Sequence, residues 1–213
     1  GLHSEATAQT LFQEFLSRWH LDHSVPLLRR IKENALAIIV HNNWMKQKLQ
    51  NLLGDHSPDI FVVPMGIEIP PALDTDKRRQ LRHKLGLGSK TFVLVSFGNI
   101  TPNRRLDKAI EAFAWFHQMY PDSVYFIIGH FIETHHKEYI LNTARFYNVD
   151  KSVHFPGYLA KDKFYEYLAV ADMSINLRHP SFGETSASLL RALAMGIPAL
   201  VSDTNQYKEY PDS

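Results

Sequence analysis

The chain has 213 residues, which at roughly 150 residues per domain makes one complete domain and part of another. Its 45% hydrophobic and 21% charged residues, with 10 Gly and 11 Pro, describe a globular protein and exclude a disordered or collagen-like chain. A net charge of +1 supplies no overall field for nucleic acid or an anionic membrane, and zero cysteines exclude a disulfide framework, a thiolate metal site and a Cys nucleophile.

Between Glu5 and about Asn34, apolar residues recur at helical spacing: Leu11, Phe12, Phe15, Leu16, Trp19 and Leu21, then Val25, Leu27, Leu28 and Ile31. This predicts two amphipathic helices, broken around His20 to Pro26. Ala35 to His41 reads as a short apolar strand, and Asn42 can cap a helix that runs through Lys48 to Leu53. Ile60 to Val63 is a second strand, and the Pro- and Gly-bearing stretch from Met65 to Asp74 reads as a linker. From there strands and helices alternate. A charged helix (Asp74 to Leu85) leads to a strand (Phe92 to Phe97), a helix (Asn103 to Met119) and a strand (Val124 to Ile128). A helix (Glu133 to Tyr147), a strand (Ser152 to Phe155), a helix (Lys161 to Val170) and a strand (Asp172 to Leu177) follow. The series closes with a helix (Glu184 to Met195) and a strand (Ala199 to Ser202). Five strands, apolar on both faces and separated by helices, predict an α/β fold: a Rossmann-like, doubly wound parallel sheet.

The apolar runs are strand-sized, far below the ~20 residues of a membrane span. Residues 1 to 10 have neither the basic start nor the apolar stretch of a signal peptide, and the expectation is a cytoplasmic protein.

Doubly wound sheets bind ligands beyond the carboxyl ends of their strands, where the strand order reverses. The strand-to-helix loops are therefore the places to look for chemistry. The first runs from Gly98 through Asn99 to Arg104 and Arg105. Gly98 permits a tight turn, Asn103 can cap, and a helix N-terminus flanked by two arginines suits a phosphate. The same arginines also read as solvated surface charges. This loop is neither a P-loop nor a dinucleotide fingerprint, which disfavours triphosphate hydrolysis and hydride transfer. The fourth loop, Leu177 to Ser186, gathers Arg178, His179, Ser181, Glu184, Thr185 and Ser186 before a helix rich in small residues. Its simpler reading makes Glu184 an acid favoured by the helix dipole, with Arg178 as its surface partner. The 12 histidines include no helical pair with metal-ligand spacing and a catalytic acid, so neither a metal nor a cofactor is expected. Trp115, Phe116, Tyr125 and Phe126 fall at core periods and not as a base-stacking platform, and no nucleic-acid partner is expected.

These motifs, in order, are ALAIIVHNNWMKQKL, IFVVPMGIEIP, FVLVSFGNITPNRRLDKAI, YFIIGH, VHFPGYL, YLAVADMSINLRHPSFGETSASLLRALAMGIPALVSD and KEYPD. Together they resemble the retaining glycosyltransferases of the GT-B fold, group 1 (family 4), in the C-terminal, donor-binding half. The resemblance implies an enzyme that binds a nucleotide sugar between two Rossmann-like domains and transfers the sugar, with retention, to a sugar, glycan or lipid-linked acceptor. It implies residues 1–64 as the tail of the acceptor domain, 65–73 as linker and 74–213 as the donor domain truncated at its end. Peripheral membrane contact would then run through the rest of the acceptor domain, and this piece alone would be inactive.

The family's first loop carries an Arg after the glycine and a Lys five residues later, both on the diphosphate. Here Asn99 and Arg104 hold those places, so one cation is kept, with Arg105 or Arg178 to compensate. The family's glutamate pair is also altered. Arg191 stands at the second position, counting back eight gives Gly183, and Glu184 takes the sugar-contact role only with one residue lost from the start of the helix. Thr185 and Ser186 would hold the distal phosphate, and Phe155 to Tyr158 lies where the family holds the base. The form LRHPSFGETS resembles a bacterial branch of the family. Two other readings stay open: a GT-B-like module that has lost catalysis, and a GT-B-like epimerase or phosphorylase.

Overall fold

A computed structural model of the chain describes residues 26–55, 57–68 and 74–211. The first expected amphipathic helix, from Glu5 to about Leu21, and part of the linker lie outside the described residues. The chain divides into two compact units: Gly1–Gly66 with Pro180–Thr185 and Asp203–Ser213, and Ile67–His179 with Ser186–Ser202.

The first unit contains helix α1 (Pro26–Asn34), strand β1 (Ala37–Val40), helix α2 (Asn43–Leu53) and strand β2 (Asp59–Val62). β1 and β2 pair in parallel, Ile38 opposite Ile60 and Val40 opposite Val62. Val40, Leu53 and Ile60 form the core, with Leu28, Met45 and Leu49 against it. Asn42 caps α2 as expected, its side-chain oxygen accepting from the Met45 N–H at 2.7 Å. Residues from the far end of the sequence complete this helix start. Glu209 accepts from the backbone N–H groups of Asn43 (2.9 Å) and Trp44 (2.5 Å), a carboxylate placed at the positive end of the helix dipole. Gly183, at φ +89°, rests where a Cβ would collide with the Trp44 and Met45 side chains. Residues 180–185 and 203–211, which the sequence assigns to the donor domain, thus group with residues 26–55 and 57–66.

The second unit is the parallel sheet. It carries α3 (Thr75–Lys84), β3 (Phe92–Phe97), α4 (Leu106–Met119), β4 (Ser123–Ile128), α5 (Thr134–Phe146), β5 (Val153–Gly157), α6 (Lys161–Val170), β6 (Met173–Asn176), α7 (Ala187–Ala194) and β7 (Ala199–Val201). The strand order is β5-β4-β3-β6-β7, all parallel, so the order reverses between β3 and β6. Successive residues of β3 serve opposite faces, as strand geometry requires. Val93, Val95 and Phe97 pack on one side with Leu168, Val170 and Ala192. Leu94 lies on the other with Ile110, Phe113 and Ile140. Both faces are covered by helices, which is the doubly wound arrangement that the apolar strands predict.

β3 and β6 pair through only two residues, Leu94 with Met173 and Val95 with Ser174. Side chains extend the joint at both ends. Asp172 accepts from the Val93 N–H at 2.8 Å, and the Ser96 hydroxyl donates to the Ile175 carbonyl at 2.6 Å. Asp172 in turn pairs with Arg78 (2.7 Å) and the buried Arg82 (3.4 Å).

Two helix starts differ from the sequence reading. The expected helix from Asn103 opens as a 3-10 turn, Pro102–Arg104, and Arg105 in the left-handed region (φ 48°, ψ 42°) separates it from α4. Asn103 therefore caps nothing; its side-chain oxygen accepts from the Thr101 hydroxyl at 2.7 Å. The helix expected from Glu184 begins at Ala187, because Ser186 is the residue whose side chain accepts from Leu189 N–H. Glu184 lies outside the helix and its first turn.

Candidate functional site

The reversal between β3 and β6 brings two strand-to-helix loops of the second unit side by side. The loop after β3 carries Gly98, Asn99, Arg104 and Arg105, and the loop after β6 begins with Leu177 and Arg178. They are joined directly: the His179 N–H donates to the Asn103 carbonyl at 2.8 Å, and Arg178 reaches the Asn103 side chain at 3.5 Å. The Arg178 N–H is fixed by the Ser202 hydroxyl at 2.8 Å.

Gly98 has φ +112°, and a Cβ there would collide with the Arg104 guanidinium, so the glycine lets the arginine fold over the strand end. Gly129, after the neighbouring strand, approaches Gly98 so closely that a Cβ would strike the Gly98 carbonyl. Gly98, Asn99 and Arg104 line one small pocket with Ser96, Ile100, Ile175 and Leu177; at about 10 Å³ it is at the lower limit for one water. Beneath it the buried Tyr125 phenol and the Ser96 hydroxyl share a 2.7 Å hydrogen bond, and burial pushes the phenol's pKa far above its ordinary range. Tyr125, Ser96 and the Ile175 carbonyl thus tie β4, β3 and β6 together under the arginine. Sequence reasoning missed this chain, although a serine inside FVLVSF, an otherwise apolar strand, marks it.

Arg105 has a different place. Its side chain pairs with Asp107 in the first turn of α4 at 3.4 Å, so its charge is already answered. Ser186 is held from below by Asn176, buried at the end of β6, whose amide donates to the Ser186 (3.1 Å) and Ser188 (3.3 Å) hydroxyls. Asn176 was also missed; the signal is a polar residue closing the apolar strand MSIN. Phe155 turns into the sheet's core, 5.8 Å from Phe131, whereas Tyr158 is 82% exposed.

Glu184 and Thr185 belong to the first unit. The Glu184 carboxylate accepts from the Phe182 N–H at 2.8 Å, and its carbonyl accepts from the buried Gln206 side chain at 2.8 Å. The Thr185 hydroxyl accepts from Asn42 at 3.1 Å. Apart from Phe155 in β5 and Tyr158 just after it, the expected site residues therefore fall into two sets. Gly98, Asn99, Arg104, Arg105, Arg178 and Ser186 stand around the strand reversal of the sheet, and Glu184 and Thr185 sit in a loop built on α2. Among the described residues there is no group of three or more His, Asp or Glu that could hold a metal, and no helix is long and apolar enough to cross a membrane.

Solved structures with this architecture include HepE of Anabaena, determined with UDP and glucose (17% identity, TM-score 0.75, 93% of this chain and 53% of that one). WaaG, a glycosyltransferase involved in lipopolysaccharide biosynthesis, is also similar (18% identity, TM-score 0.72, 93% and 56%). Among curated proteins, the alpha-monoglucosyldiacylglycerol synthase of Acholeplasma laidlawii is 24% identical over 151 residues, 68% of this chain and 36% of that protein. The chain thus spans about half the length of the two solved structures and about a third of the synthase. The fold is the α/β fold of the GT-B glycosyltransferases. Residues 77–212 match the family described as glycosyl transferases group 1, and the chain belongs to that family.

Proposed function

We propose that this chain is the donor-binding part of a glycosyltransferase that moves a sugar from a nucleoside diphosphate to an acceptor with retention of configuration. The observation that carries the reading is Arg104, folded over Gly98 at the strand reversal and linked through the neighbouring Asn103 to Arg178. A guanidinium there would neutralise charge as it develops on the leaving diphosphate, and the N-terminus of α7 at Ser186 would add its backbone dipole. Thr185 would assist Ser186, and Glu184 would position the donor sugar; both assignments rest on the family resemblance. Tyr158, exposed after β5, is the side chain offered to the base. The solved relative with bound UDP and glucose supports a nucleotide-sugar donor. The diacylglycerol in the name of the Acholeplasma relative favours a lipid acceptor met at a membrane surface. A cytoplasmic location goes with this reading.

Calorimetry of UDP, GDP and ADP with the wild-type chain and with Arg104→Ala tests the central claim. A charge-assisted hydrogen bond contributes about 1.5–3 kcal/mol, so the variant should bind the preferred nucleotide roughly ten- to a hundredfold more weakly. Equal affinity in the two proteins would remove Arg104 from the phosphate site.

A second reading is a module that retains recognition but has lost catalysis. Asn99 in place of a cation favours it, as does Arg191 in place of a carboxylate, its guanidinium lying 5.8 Å over the Phe164 ring. Transfer or hydrolysis of a labelled nucleotide sugar by the full-length protein would exclude it, and the same product analysis separates transfer from epimerase or phosphorylase chemistry.

A further inference from the structure

A groove of about 330 Å³ lies between α4 and α5 and has no part in the donor reading. It is lined by Asp107, Lys108, Glu111, Tyr139, Asn142, Thr143, Phe146 and Tyr147. Its volume is at the lower end of the range for small-molecule sites, ~300–1,000 Å³.

Its charges are paired, one of them with Arg105, which does not itself line the groove. Lys108 donates to Glu111 at 2.7 Å, and the Tyr147 hydroxyl is hydrogen-bonded to the same carboxylate. Asp107 is paired with Arg105 at 3.4 Å. Two anions answered by two cations leave no net charge to select an ion. They do leave carboxylate oxygens held in fixed positions, where a hydroxyl can donate to them.

The rest of the wall is aromatic. Phe146 is 77% exposed and Tyr139 54% exposed, and Phe146 stands edge-on to Tyr147 at 5.0 Å, which makes an aromatic corner. An aromatic face carries negative potential and attracts polarised C–H groups. The Thr143 hydroxyl donates to the Tyr139 carbonyl at 2.9 Å, and the Asn142 side-chain oxygen accepts from Arg145 at 3.0 Å. Both polar groups are thereby oriented.

We infer that this groove is a second carbohydrate site, taking a neutral pyranose or short oligosaccharide. The sugar's C–H face would lie on Phe146 and Tyr139, and its hydroxyls would donate to Asp107 and Glu111. A neutral ligand that is both hydroxyl-rich and C–H-faced is what pinned, charge-paired acceptors beside open aromatic rings select.

Saturation-transfer NMR on the 213-residue chain tests the inference, with glucose, galactose, N-acetylglucosamine, maltotriose and cellotriose as probes. Transfer to ring protons of at least one probe is expected, reduced fivefold or more in Phe146→Ala and in Tyr139→Ala, and unchanged by saturating UDP. Both side chains are exposed, and an unchanged thermal midpoint in each variant confirms that folding is intact. The inference is overturned if no probe shows transfer, if transfer survives both substitutions, or if UDP displaces the saccharide. It is also overturned if an oligolysine peptide binds the groove and the saccharides do not. UDP affinity should be the same in Phe146→Ala as in wild type, so failure of the donor reading and failure of this one register in separate measurements.

Discussion

Gly98 and Arg104 depend on each other. With φ at +112° an alanine at 98 is strained by about 1–2 kcal/mol, and its methyl would also displace the Arg104 guanidinium. Gly98→Ala should therefore lower both the thermal midpoint and the affinity for the preferred nucleoside diphosphate, the second to nearly the level of Arg104→Ala. A variant that loses stability but keeps wild-type affinity in calorimetry would show that the arginine acts from elsewhere. These two residues were legible in the sequence, because a glycine ending an apolar strand and a cation soon after it form a local pattern. The pairing of Arg105 with Asp107 was less so, since it depends on the left-handed turn at Arg105 that redirects the side chain.

Among the elements, β3 and β6 are the pair on which the site stands, and their short ladder makes the flanking side chains count. Removing Asp172 withdraws the acceptor for Val93 N–H and leaves the buried Arg82 without its carboxylate. Breaking a buried ion pair costs about 3–5 kcal/mol, and the partial exposure of Asp172 puts Asp172→Ala near the lower figure. Ser186→Ala is a milder change. It removes one cap, ~1 kcal/mol, which for a chain of this size lowers the thermal midpoint by about 2–4 °C. Denaturation should rank Asp172→Ala well below Ser186→Ala; the reverse order would mean that the β3–β6 joint rests on its backbone ladder alone. Every described strand and helix except the 3-10 turns was legible along the chain, most from their apolar period and α3 from its run of charged residues. The starts of α4 and α7 were not, because several capping residues lie within each loop and the choice among them falls to the packing that fixes the loop.

For the molecule as a whole, the ionisable groups set a direction with pH. Burial works to raise the Glu209 pKa, but the N–H groups of Asn43 and Trp44 outweigh it and hold the carboxyl below its ordinary value. Asp74 is held low by the Lys77 N–H and Glu166 by its hydrogen bond to Lys163. A carboxylate whose folded pKa is depressed stabilises the fold above its unfolded pKa, and that contribution is lost as pH falls through the folded value. His136 acts earlier. Burial lowers its pKa from the ordinary 6.5, so on acidification the unfolded chain binds the proton first and stability begins to fall below that pH. Urea midpoints should therefore decline below about pH 6.5 and again in the carboxylate range. His136→Leu should flatten the first decline and Glu209→Gln should weaken the second. A midpoint that stays level from pH 7 to 4 would contradict both assignments.

The sequence by itself determined the alternation of apolar strands with helices, the parallel doubly wound sheet, and the loops that face its carboxyl edge. Periodicity, glycines and caps are local, so they can be read along the chain. The tertiary structure alone decided which strand lies beside which, and hence that the Gly98 and Arg178 loops meet. It also decided that residues 180–185 and 203–211 group with the first unit. That grouping includes Asn42 reaching Gly183 and Thr185, and Glu209 capping a helix 166 residues away, hydrogen bonds between distant positions that leave no period in the sequence.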